Sequence, residues 1–124
     1  MNSKVIRGKD IEKVNADWGS LQWLAGKNAP EYGMTFGKVT LKPGKENPAH
    51  LHPECDEILF VVSGEIEHTL PEGGTTVLNS GDCILLPRGK FHKARNAGRE
   101  EAVVIVAFNS AERSVVAQDA EGEA

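Results

Sequence analysis

The stretch PAHLHPECDEILF, residues 48–60, decides the fold. It sets His50 and His52 two residues apart, places Glu57 five residues further on, and then turns apolar. A β-strand alternates its faces. Glu57, Leu59 and Val61 therefore share one side, and Ile58, Phe60 and Val62 the other. Both sides are apolar beyond Glu57, which predicts a strand buried on both faces. A carboxylate at the head of such a strand is costly to desolvate unless something pairs with it. His50 and His52 also share a side; if it is the side of Glu57, three donors converge. Imidazole and carboxylate together suit a borderline divalent metal such as Fe, Mn, Ni, Co, Cu or Zn.

A fourth donor comes from GDCILLPRGKFHKARN, residues 81–96. An apolar strand ends at Pro87, a Pro-Arg-Gly turn reverses the chain, and His92 opens the next segment. Around these two stretches, strand signals dominate: residues 39–41, 57–62, 65–70, 75–78, 83–86 and 102–108 are short and rich in β-branched or apolar side chains. Pro43-Gly44, Ser63-Gly64, Gly73-Gly74, Gly81-Asp82 and Pro87-Arg88-Gly89 supply turns between them. Such regular spacing indicates a sandwich or barrel. The one window with apolar residues at helical spacing is residues 10–18, with Ile11, Val14 and Trp18; an irregular N-terminal strand fits it equally well.

The two stretches resemble the signature motifs of the cupin family. Gly44, His50, His52, Glu57 and Gly64 match G-x5-H-x-H-x3,4-E-x6-G at every fixed position. Gly81, Pro87, Gly89, His92 and Asn96 do the same for G-x5-P-x-G-x2-H-x3-N. The resemblance implies an all-β fold, the cupin double-stranded β-helix or jelly-roll barrel. It also implies one divalent transition metal inside the barrel, held by His50, His52, Glu57 and His92. Residues 36–112 would form the barrel. Residues 1–35 would pack on it or on a dimer partner, and residues 113–124 would form a C-terminal segment with a flexible tail.

Other residues attract attention for their chemistry. His68 shares a face with Ile66 and Leu70. It either points into the barrel as an acid–base group or is an edge histidine satisfied by backbone. Phe36 is a candidate to line a substrate cavity, against ordinary packing for Phe36 and Met34. Arg88, in the turn before His92, could contact an anionic substrate or simply be exposed. Cys55 reads as structural or as a neighbour of the donors, and Cys83 as core filling. Trp18 and Trp23 flank the segment GSLQ and would cover the open side of a sheet, in the same subunit or across a homodimer.

The chain has 124 residues, enough for one domain with a real core. A net charge of −4 with scattered Lys and Arg makes nucleic acid and anionic membrane poor partners. The longest apolar run, residues 102–108, is too short to cross a bilayer. The N-terminus MNSKVIRGKD lacks the apolar stretch of a secretory signal, and two cysteines make no disulfide framework. These features lead to the expectation of a cytoplasmic protein with a small-molecule partner.

Four protein donors on a six-coordinate metal leave two positions open. By resemblance, the leading expectation is an enzyme on a small oxygenated metabolite, a sugar or sugar acid among them. The metal would act as Lewis acid in isomerase or lyase chemistry. The alternatives are an Fe(II)- or Mn(II)-dependent dioxygenase and a non-catalytic small-molecule-binding module.

Overall fold

The computed structural model describes residues 1–118, and these are β-structured apart from single 3-10 turns at Gly8–Asp10 and Pro30–Tyr32. Eleven strands follow in chain order among the described residues: β1 (Val14–Ala16), β2 (Gly19–Ala25), β3 (Thr35–Leu41), β4 (His50–Leu51), β5 (Glu57–Ser63), β6 (Glu65–Thr69), β7 (Thr75–Asn79), β8 (Cys83–Leu86), β9 (Ala94–Asn96), β10 (Ala102–Phe108) and β11 (Val116–Ala117). The larger sheet has the order β1-β2-β3-β10-β5-β8; a second sheet has the order β7-β6-β9, and β11 pairs with β4. The pairings are antiparallel, as the double-stranded β-helix requires. Residues 10–18 contribute the short strand β1, so the strand alternative holds there and the helical one does not.

Alternation builds the core. Val39, Leu41, Leu59, Val61, Val104, Val106 and Phe108 from the larger sheet meet Ile66, Leu78 and Ala94 from the smaller one in a single buried cluster. Burial of this kind contributes roughly 25 cal/mol for each Å² of apolar surface removed from water. The N-terminal segment extends the same barrel: β2 pairs with β3 from Gly19↔Leu41 to Trp23↔Gly37. Trp23 lies so close over Gly37 that a Cβ there would stand 2.4 Å from the indole ring. Trp18 and Trp23 thus cover their own subunit's sheet.

Two expectations are corrected. The strand at Glu57 is buried on one face only, because the smaller sheet covers just the inner side. Ile58, Phe60 and Val62 on the outer side stay 41–44% exposed. Cys83 sits opposite Phe60 on that outer face and is exposed rather than core, whereas Cys55 is buried; both are free. Within the C-terminal segment, β11 is tied to β4, and the tail expected after it falls on residues 119–124, which lie outside the described residues.

Two motif positions have plain structural duties. Gly64, with φ +100°, turns β5 into β6, and a Cβ there would come within 2.7 Å of Ala102. Asn96 is fully buried; its amide donates to the carbonyls of Leu41 (3.0 Å) and Glu100 (2.7 Å), and its Oδ1 accepts from the Gly98 amide (2.9 Å). It therefore ties the end of β9 to β3 and shapes the turn into β10. Asn96→Ala should destabilise the fold by on the order of 3 kcal/mol, because buried backbone groups lose their partners. Urea unfolding measures this, and a change below about 0.5 kcal/mol would deny Asn96 this role.

Candidate metal centre

The four motif donors reach one point from three segments. β4 carries His50, the following loop carries His52, and Glu57 is the first residue of β5. His92 is brought in by a β-bridge to His50, with the His50 amide donating to the His92 carbonyl (3.0 Å) and the reverse bond at 2.8 Å. The Gly89 amide donates to the His52 carbonyl (2.8 Å), so the Pro-Arg-Gly turn is registered against the first motif. One donor atom from each of His50, His52, Glu57 and His92 lies within 4.8 Å of the others. Glu57 Oε1 is 3.4 Å from His52 Nε2 and 3.3 Å from His92 Nε2.

Hydrogen bonding prepares these atoms for a metal. His52 Nδ1 lies 2.8 Å from the Ser114 carbonyl, and His50 Nδ1 lies 2.8 Å from the Pro48 carbonyl. A carbonyl oxygen only accepts, so each Nδ1 carries the proton and each Nε2 offers a lone pair. His52 Nε2, Glu57 Oε1 and His92 Nε2 are buried and have no hydrogen-bond partner among the described residues. Orphaned buried polar atoms are rare and costly. A divalent cation resolves all of them at once, and the three-imidazole, one-carboxylate set fits Mn, Fe, Co, Ni, Cu or Zn. The residues therefore fit one divalent metal ion.

The surroundings favour the neutral form of His50 and His92, the form a metal needs. Burial lowers the pKa of His50, and burial together with the neighbouring histidines brings His92 down to about 3. His68 is a fourth imidazole, fully buried, stacked on His92 with centroids 5.6 Å apart. Its Nδ1 donates to the Thr69 carbonyl (2.7 Å), its Nε2 is unpartnered, and burial lowers its pKa. His68 thus points inward and is satisfied by backbone at one nitrogen; it is not an edge histidine, because β6 lies between β7 and β9.

All five groups open on one cavity of about 290 Å³. Its walls are mostly apolar and include Trp18, Leu21, Trp23, Val104, Val106 and Phe108, with Asn47 and Arg113 as further polar members. Arg113 was not apparent from the sequence: it follows the last long strand, where no alternation assigns it a face. Its guanidinium lies 4.0 Å over the Trp23 ring and 5.9 Å from that of Phe108, and burial lowers its pKa.

Two expected substrate contacts lie elsewhere. Phe36 sits on the outer face of β3, where Thr35, Gly37, Val39 and Leu41 take the inner positions. Arg88 is exposed and clamped to Asp56 through Nε–Oδ1 (3.1 Å) and Nη2–Oδ2 (3.0 Å). Its hydrogen bonds hold the Asp56 carboxyl well below the usual carboxylate range. Asp56 also accepts from the Asn109 amide nitrogen (3.1 Å), so this outer clamp fixes the loop that delivers Glu57.

Comparison with known proteins agrees with this geometry. The family model described as a cupin domain matches residues 37–108. Oxalate oxidase GF-3.8 of Triticum aestivum is 33% identical over 123 residues, covering 93% of this chain and 51% of that protein. Germin-like protein 3-8 of Oryza sativa subsp. japonica is 40% identical over 89 residues, covering 68% and 40%. The chain thus spans about half the length of the curated relatives it matches. A solved oxalate oxidase superposes with a TM-score of 0.75 at 25% identity, over 84% of this chain and 57% of that one. An oxalate decarboxylase of Bacillus subtilis gives 0.81 at 22% identity, over 90% and 31%, a likeness of fold.

Neutral burial of these histidines makes the metal-free protein acid-sensitive. Their folded pKa values lie below the unfolded value of about 6.5, so the unfolded state binds more protons as pH falls. The stability they contribute is complete above about pH 6.5 and is lost progressively toward pH 3, where His92 titrates. Thermal melts of metal-free protein across that window should show Tm falling with pH, with a shallower slope in His92→Gln. Equal slopes in the two proteins would contradict the assignment.

Proposed function

The chain belongs to the cupin family, and on that premise we propose that it is a metal-dependent enzyme acting on a small carboxylic acid, with oxalate the first candidate. The observation that carries this reading is the cluster of His50, His52, Glu57 and His92 opening on a mostly apolar cavity of about 290 Å³. The relatives named for oxalate oxidation support the substrate class. Two reactions fit: decarboxylation, a lyase reaction giving carbon dioxide and formate, and oxidation by dioxygen giving carbon dioxide and hydrogen peroxide. When bound, a divalent metal supplies Lewis acidity, and manganese or iron supplies one-electron chemistry as well.

The remaining work falls to the chain. Glu57 and the three imidazoles would hold the ion beside a mostly apolar wall, which strengthens charge interactions there. His68 lines the same cavity, and its bond to the Thr69 carbonyl leaves Nε2 unprotonated. That atom is positioned to take a proton from substrate and return it to product.

The test begins with elemental analysis of protein purified without chelator, followed by Mn(II) loading and assays of oxalate for formate, peroxide and oxygen uptake. Near-stoichiometric metal is expected, and it should be lost in the His50→Ala, His92→Ala double variant. Turnover should fall about 10²- to 10⁴-fold in His68→Ala with metal content unchanged. Ligand binding without turnover of any small acid would point instead to the non-catalytic module.

A homodimer belongs to the same proposal. The register aligns Phe36, Ala107, Ile58 and Leu85 in one row across β3, β10, β5 and β8. Phe60 stands beside that row, and Phe36, Ile58, Phe60 and Leu85 are 40–72% exposed. A contiguous apolar face of this kind is what a second copy covers. Sedimentation at micromolar concentration should return a dimer, and Phe60→Glu should shift it to monomer; a wild-type monomer would rule the dimer out.

A further inference from the structure

Arg113 poses a question that the metal cluster does not answer. Its side chain is half-buried at the wall of the cavity, with Cζ 4.0 Å over the Trp23 ring. It makes no salt bridge with any carboxylate among the described residues, and its side chain donates no hydrogen bond to them. Other guanidiniums facing a nearby acid are clamped: Arg88 to Asp56, and Arg95 to Glu67 at 3.0 Å. A cation drawn partly out of water without a partner is costly. Contact with an indole recovers only part of that cost and leaves the N–H donors unused.

The position of Arg113 is built. Ser114, the next residue, accepts from His52 Nδ1 (2.8 Å), and Val116–Ala117 pair with His50–Leu51. The Gln118 amide donates to the Ala49 carbonyl (3.1 Å). The segment carrying Arg113 is thus fastened to the chain bearing two of the donors. One aromatic ring separates the guanidinium from the cluster: the Phe108 ring is 5.9 Å from Arg113 Cζ and 4.8 Å from the His52 ring. A molecule reaching from the donors to Arg113 need be only a few atoms long.

We propose that Arg113 binds the anionic end of the substrate, a small carboxylic acid held between its guanidinium and the donor cluster. A guanidinium matches a carboxylate with two parallel hydrogen bonds, and the apolar wall raises their strength. Contact with Trp23 holds the fork in place, so the carboxylate is oriented as well as attracted. This inference rests on the metal-enzyme reading for the identity of the acid, but not for the role of the charge.

Calorimetric titration tests it on Mn(II)-loaded wild type, Arg113→Gln and Arg113→Lys. The probes are oxalate and glycolate, with uncharged glycolamide beside them. Metal content and Tm are measured on the same samples. Arg113→Gln should bind the two acids about 10- to 100-fold more weakly, bind glycolamide as wild type does, and keep its metal. Arg113→Lys should recover part of the loss, since it restores charge without the fork. Equal acid affinity in wild type and Arg113→Gln would overturn the proposal, as would equal losses for acids and amide, the mark of a merely structural role. If the charge-selective loss is seen but no acid is turned over, Arg113 stands and the enzyme reading falls. If an acid is turned over with the same KM in both proteins, the enzyme reading stands and Arg113 falls.

Discussion

A carboxylate without water is the constraint on which this structure turns. Glu57 begins a central strand of the larger sheet, yet its Oε1 finds only two imidazole nitrogens, those of His52 and His92, and no hydrogen-bond partner among the described residues. In the absence of a cation, such a set of lone pairs opposes folding of the site. With one, the same atoms become its strongest local glue. The β-bridge between His50 and His92, the turn at Gly89 and the outer clamp of Arg88 on Asp56 all hold these four side chains at a distance that a cation can span. Much of the polar architecture near the barrel mouth is arranged around that demand.

The ligand set was legible in the sequence because its spacing is covalent. Two residues on, five residues on and a Pro-x-Gly-x-x-His turn survive any uncertainty in how strands pair. The inward direction of His68 was also readable, by alternation with Ile66. What escaped depends on register and on what covers a face. Strand β3 begins at Thr35 rather than Val39, and that earlier start sets Phe36 outward. Hydropathy marks both sides of β5 as apolar but cannot say that only one is roofed by the second sheet. Arg88 looked free because its partner, Asp56, lies 32 residues away along the chain. Arg113 had no local signal at all; its importance comes from β11 folding back on β4.

The cavity divides its labour between two kinds of wall. The donor side is polar and preorganised by backbone carbonyls, which hold His50, His52 and His68 each in one tautomer. The opposite side is aromatic and aliphatic, with Trp23 resting on Gly37, where no side chain competes for the space. Such a chamber binds by shape and dehydration while leaving specificity to a few placed charges.

The fastening of Ser114 to His52 also bears on where this domain ends. The family model stops at residue 108, which closes the last long strand and includes all four metal donors. By the measure of barrel topology, the unit is then complete. By the measure of chemistry it is not, because the carbonyl that orients His52 and the strand that backs His50 both lie beyond that border. A fragment trimmed to the matched core would keep every ligand and lose both the carbonyl that tells His52 which nitrogen to present and the strand that backs His50. Evolutionary boundaries drawn from the barrel alone would therefore divide a single cooperative device, and changes after residue 108 belong to the metal centre as much as changes within it.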